Sequence, residues 1–230
     1  MTEETARDLR APTEADVRAA FTRSDGRYRF ARWGRPLAPA WFGFAESLAV
    51  WRAALSSAAV TAGLEVVEED PELGANFLAF SVETWPELRA MPGIERLIPG
   101  IDRLLGVLQA AGANQYRIFG FEPAASGAPG AIRIAITLLR RDADLACIPE
   151  PALALGQCAQ ALLLWSDHAF TAETPVAGLA GATSALPDAA VLKPRFRLLL
   201  SAAYDPGLPD AAEDPGHAAA LAAVAQQSPG

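Results

Sequence analysis

The sequence predicts an α+β fold: a mixed, twisted sheet with helices packed against it and a largely helical C-terminal third. Two observations carry that expectation. Strand-like and helix-like stretches mix without the strict alternation of a parallel-sheet protein, and the best strand pair, QYRIFGFEP and GAIRIAITLLRR, falls late in the chain. Beyond residue 150 the apolar residues recur mainly at helical spacing. The chain of 230 residues, 51% of them hydrophobic, suffices for a sizeable core. It divides into a polar N-terminal segment with a short helix (1–26), a single domain (27–206) and a C-terminal tail with a short helix (207–230).

Residues 1–12 are polar, and Pro12-Thr13-Glu14-Ala15-Asp16 then reads as a helix start. Thr13 is the N-cap, acids occupy the first turn, and the helix runs to about Thr22. RYRFARWGRPLAPAWFGF reads as two strands joined by a turn at Gly34-Arg35-Pro36, with Pro36 and Pro39 keeping the second off a central position. Alternation puts Tyr28 and Phe30 on one face and Arg27 and Arg29 on a solvated one. With Arg23, Arg32 and Arg35 these arginines alternatively form a patch for an anion or acidic partner.

In ESLAVWRAALSSAAVTA, Leu48, Trp51, Ala54, Leu55 and Ala58 or Ala59 share one helical face, and Gly63 is a suitable C-terminal cap. LEVVEED and NFLAFSV read as two strands around a turn at Asp70-Pro71-Glu72 and Gly74. A helix or two joined helices cover 94–111, with Ile94, Leu97, Ile98, Ile101, Leu104, Leu105 and Leu108 inward and a break at Pro99-Gly100. The late strand pair follows, joined by ASGAPG. Helix returns over 151–164, the chain loosens through TAETPVAGLAGATSALPD, and helices near 194–204 and 216–226 close it.

The composition excludes several functions. A net charge of -8 argues against nucleic acid and anionic membranes as partners, because phosphate neutralisation needs clustered cations. No apolar run reaches the length of a membrane span. The N-terminus lacks a secretory core, so the expected location is cytoplasmic, with the periplasm left open. Cys147 and Cys158 are the only cysteines and read as buried free thiols, with a single bridge between them left open by their spacing. His168 and His217 are the only histidines, so no His-Glu-x-x-His zinc helix exists, and no metal or other cofactor is expected. Gly-x-Ser-x-Gly, the phosphate loop and the dinucleotide fingerprint are also missing. Consecutive Ser166, Asp167 and His168 cannot relay a proton, since neighbours on a turn point apart. Glu68, Glu69, Asp70 and Glu72 read as a solvated acidic turn rather than a catalytic carboxylate pair. The five tryptophans, dispersed along the chain, read as packing residues rather than a ligand cage.

Two segments carry a resemblance. CIPEPALALGQCAQALLLWSDHAF resembles the cysteine, acidic-helix, Gln-x-Leu-Gly-Leu-x-Asn-Asp stretch of a bacterial family of zincin-like proteins catalogued as a domain of unknown function. LKPRFRLLLSAAYDPGLPDAAEDPGHAAALAAVA resembles that family's closing pattern, a helix leading to Leu-Tyr-Asp-Pro-x-Leu and a short terminal helix. The two cover about a quarter of the chain. The resemblance implies a metallopeptidase-like sheet with a helix at the active-site position. Laid over His-Glu-x-x-His-x-x-Gly-x-x-His, the helix puts Gly156 and Gln160 at the first two ligand positions, Gln157 at the general base, Leu163 at the glycine and Ser166 at the third ligand. A glycine and a neutral amide cannot replace two imidazoles, and glutamine has no carboxylate to take a proton from water. Leu163, Ser166 and Arg195 or Phe196 depart from the family's glycine, asparagine and acid, whereas Asp167 matches.

The functional expectation is a non-catalytic zincin-like protein, a pseudo-metallopeptidase, that binds a peptide or protein. Its binding-cleft candidates are Gln157, Gln160, Ser166, Asp167 and His168, and its sheet edge is open to strand addition. Asp167 reads either as a ligand-orienting acid or as a turn acceptor, and Gln157 and Gln160 as cleft donors or as a wet helix face. Two alternatives remain at this point: a hydrolase with unfamiliar metal-independent chemistry around Asp167, His168 and Tyr204, and a structural or assembly subunit.

Overall fold

A computed structural model describes residues 10–123, 129–170, 174–178 and 190–227. The first helix, α1 (Glu14–Phe21), begins as its sequence dictates. Thr13 Oγ1 accepts the Asp16 N–H at 3.3 Å while the Asp16 carboxylate accepts the Thr13 N–H at 2.9 Å, a reciprocal capping box. Val17 and Phe21 on its inner face are fully buried.

The main sheet is built from β2 (Pro39–Phe42), β3 (Phe77–Val82), β4 (Gln115–Pro123) and β5 (Pro129–Arg140). Its order is β2-β3-β5-β4; the first three strands are parallel and β4 runs antiparallel to β5. Pro39 is tolerated because β2 lies at an edge. Gly43 ends that strand at φ +83°, where a Cβ would lie 2.0 Å from the Ser81 carbonyl oxygen. Both faces are covered, so β3 and β5 read as nearly continuous apolar runs. Phe77, Ala79, Ala135 and Leu139 face the larger core. Leu78, Phe80, Val82, Ile136 and Leu138 face a second core under α3 (Trp85–Ala90), α4 (Ile94–Leu97) and α5 (Ile101–Ala110).

The larger core is closed by α2 (Leu48–Ala62), α7 (Glu150–Ala161), α8 (Pro194–Ala203) and α9 (His217–Gln227), with α6 (Ala143–Ala146) joining β5 to α7. Gly63 takes the left-handed conformation at φ 67° and caps α2, and Pro99-Gly100 separates α4 from α5. α1 and α9 pack on each other within this same core. The architecture is mixed α+β with a mixed open sheet. Among the described residues no helix is long and apolar enough to cross a membrane.

Several local expectations need correction. The strands on either side of Gly34 do not form a hairpin: β1 (Phe30–Ala31) pairs antiparallel with β8 (Ala211–Ala212), and β2 pairs with β3. LEVVEED is not a strand, because only Val66 bridges Leu37 before Asp70 turns the chain by accepting the N–H groups of Glu72 and Leu73, both at 2.9 Å. The loosened segment after Phe170 contains β6 (Val176–Gly178), paired antiparallel with β7 (Ala190–Leu192). The ASGAPG connection falls largely outside the described residues, as does most of the stretch between β6 and β7. Cys158 is buried and Cys147 is exposed; both are free.

Candidate functional site

The helix singled out by the sequence, α7, starts with prolines on either side of Glu150. The Glu150 carboxylate takes the Trp51 indole N–H at 2.6 Å and pairs with Arg141, fixing the helix start to α2 and to the end of β5. Residues Leu153 to Ala159 and Ala161 are all buried, so this helix is enclosed on every side. A polar side chain there requires partners inside the fold. Gln157 has two: its amide N–H donates to Gln115 Oε1 at 2.8 Å, and its oxygen accepts from Arg117 Nη2. Both partners lie on β4, on the face turned to α7.

The five candidates divide between two places. Gln157 faces β4. Gln160 is half-buried one turn further on, with its amide nitrogen 3.9 Å from where a Gly156 Cβ would stand. That Cβ would also touch Val176 of β6 at 3.5 Å, so the first two ligand positions of the zincin pattern lie beside β6. Ser166 instead meets α1: its N–H donates to the Ala20 carbonyl at 2.8 Å and its hydroxyl to that of Ala19 at 3.3 Å. Asp167 accepts the Ser24 N–H at 2.9 Å and the Ser24 hydroxyl, and lies 3.2 Å from His168 Nδ1. The Ser24 hydroxyl is the main cause holding the Asp167 carboxyl near pKa 2.

This exposed Ser24, Asp167 and His168 group has the membership of a hydrolase triad and the wrong connectivity. The hydroxyl and the imidazole both meet the carboxylate, so the imidazole takes no proton from the serine. Tyr204 belongs elsewhere, donating to the Leu162 carbonyl and accepting the Trp33 N–H at 3.3 Å, with burial raising its phenol pKa. Among the described residues no three or more His, Cys, Asp or Glu side chains gather as a metal site would require.

The arginines do not share a face. Arg27 and Arg29 lie by Asp25 and Glu213 near the surface, as alternation suggests. Arg32 is buried and caps the C-terminal end of α8: Nη1 donates to Ala203 O (2.9 Å) and Asp205 O (2.8 Å), Nη2 to Leu208 O (2.9 Å) and Nε to the Asp210 carboxylate (2.8 Å). Arg35 joins Asp70 at 3.1 Å and also Glu72 and Glu122. The acidic turn is therefore not wholly solvated. Burial would raise the Asp70 carboxyl, but the Leu73 and Glu72 N–H groups, Arg35 and Asn76 outweigh it and hold the pKa at about 2.

Arg117 is the residue that the sequence reading missed. It is partly buried on β4, opposite Thr137 of β5, with Gln157 as its hydrogen-bond partner and, among the described residues, no carboxylate paired with it. Its Nε is fully buried without a partner, and desolvation pushes its pKa down to about 10. The available signal was alternation: Gln115, Arg117, Phe119 and Phe121 point to one side of a strand whose aromatic members face the core.

Beside it lies an open sheet edge. The Arg140 N–H donates to the Asn114 carbonyl at 2.7 Å, which makes Asn114 and Arg140 a hydrogen-bonded pair. By antiparallel alternation Gln115, Arg117 and Phe119 then turn their own N–H and C=O groups outward. Among the described residues no strand pairs with β4 on that side.

Comparison with known protein families, curated proteins and solved structures finds no match.

Proposed function

We propose that this chain is a non-catalytic, zincin-like protein that binds an extended peptide or protein segment along the outer edge of β4. The observation that carries the reading is the open β4 edge, with outward N–H and C=O groups beside the polar corner of Gln115, Arg117 and Gln157. Strand addition needs such an edge for main-chain hydrogen bonds and neighbouring side chains for selectivity. Native edges are commonly blunted by charge, proline or a cover; this one carries Arg117 at its centre.

The zincin-like part of the proposal rests on the resemblance of the two C-terminal segments and on α7, which comes after β5 and α6 and meets the antiparallel edge strand through Gln157. The positions that would bear metal chemistry hold Gly156, Gln157, Gln160 and Ser166. None supplies an imidazole or a carboxylate, so water is neither bound to a cation nor deprotonated by these groups.

The test is selection from a random ten-residue peptide library displayed on phage, followed by hydrogen exchange on the complex. Bound peptide is expected to slow exchange at the Arg117 and Phe119 amides. Selection of no peptide, or protection confined to another part of the fold, overturns the edge as the site. Metal analysis of protein purified without chelators tests the non-catalytic half, and one zinc per chain with peptide cleavage would sink it.

A further inference from the structure

We propose that the segment received by β4 presents an acidic side chain, Asp or Glu, to Arg117, so that the partner is an acidic extended peptide. The inference rests on the edge-binding reading and specifies its ligand.

Neutral groups flank the Arg117 guanidinium. Its cross-strand neighbour on the inner side is Thr137, and its contact on α7 is the neutral Gln157 amide. A partly buried cation held by a single amide oxygen is poorly compensated, because desolvation disfavours its charge and no counter-ion repays it. Arg35 pairs with Asp70 and Arg32 pairs with Asp210. The lateral position left to Arg117 is the outer one, where an added strand would run.

Such a strand lies roughly 4.8 Å from β4, and its side chain opposite Arg117 would have its Cβ roughly 5 Å from that of Arg117. A carboxylate at that position is within reach of the guanidinium and suits its planar donors. Gln157 and Gln115 then orient the cation from the other side. The net charge of -8 repels an acidic peptide at long range, but that field is screened within about 8 Å at physiological ionic strength while the contact pair is not.

The experiment uses peptides selected from the ten-residue library, resynthesised with a fluorescein label and titrated into the full chain and into Arg117→Gln. The selected peptides are expected to share an acid at one position. Changing that acid to its amide should weaken binding to the native chain about 10- to 100-fold and leave binding to Arg117→Gln almost unchanged. Thermal melting of Arg117→Gln establishes that the variant is folded, and exchange protection of β4 in the native chain reads the same site without a mutation. An equal loss in both proteins, or selected peptides with no fixed acid, overturns the acidic partner while β4 protection leaves the edge reading intact. Loss of β4 protection with every peptide overturns both. Protection of β4 that grows with protein concentration in the absence of peptide assigns the edge to a second copy of the chain and also overturns the proposal.

Discussion

Arg32 and Arg117 are both held away from bulk water, and they are satisfied very differently. Arg32 meets three carbonyls and a carboxylate that gather where α8 ends, and its guanidinium lies 5.8 Å from the Tyr204 ring centre. Arg117 meets one amide and leaves its Nε buried without an acceptor. A guanidinium with its acceptors in place ties chain segments together. One without them has bonding capacity left for a molecule from outside.

The largest expected effect separates the two directly. Arg32→Met strands the carbonyls at the end of α8 and should lower unfolding free energy by about 3 kcal/mol, whereas Arg117→Met should change it by less than about 1 kcal/mol. Urea denaturation of both variants checks this, and equal losses would erase the contrast. Asp70→Asn removes the charge that Arg35 and two turn N–H groups share, and should cost about 2 kcal/mol in the same measurement. The Asp70 carboxyl is held at about 2, below its ordinary 3.8. Its contribution is therefore complete above about pH 4 and is lost as the pH falls through 2.

A smaller effect concerns His217, whose Nδ1 lies 2.8 Å from the Tyr28 hydroxyl and whose ring is 4.3 Å from that of Phe30. Burial, then the charge of Arg32, lowers its pKa below the ordinary 6.5. The fold thus favours the neutral ring; stability is intact above pH 6.5 and declines as the pH drops toward the lowered value. Melting temperatures between pH 7.5 and 5 should show that decline, and its absence in His217→Gln would assign it to this ring. Tyr28→Phe should cost about 1 kcal/mol. Asp167→Ala, removing a half-exposed acceptor from the Ser24 turn, should cost about 0.5 kcal/mol and leave peptide affinity unchanged. A large loss of affinity would move the site from β4 to the end of α1.

What the sequence revealed follows the range of the interactions. The Thr13 cap, the Trp51 face of α2, the break at Pro99-Gly100 and the pairing of β4 with β5 are local, and all were legible. The partners of β1 and β2 were not, because pairing with β8 and β3 depends on how distant segments pack. Arg32 read only as one more arginine of a candidate surface patch because the carbonyls that enclose it lie beyond residue 200. At the candidate site Gln157 was legible as a polar residue on an apolar helix. Its partners on β4 were not, since alternation assigns Arg117 a face without saying which helix covers it.

The Arg32 cap also sets an order in time. Arg32 and Asp210 are 178 positions apart, and Ala203, Asp205 and Leu208 come almost as late. A ribosome adding about 5–20 residues per second leaves that guanidinium waiting roughly 10–35 s for its acceptors. Closure of the larger core around α8 and α9 therefore waits until residues 203–227 have been made, and a stalled chain ending before residue 203 would expose the apolar faces that those helices cover.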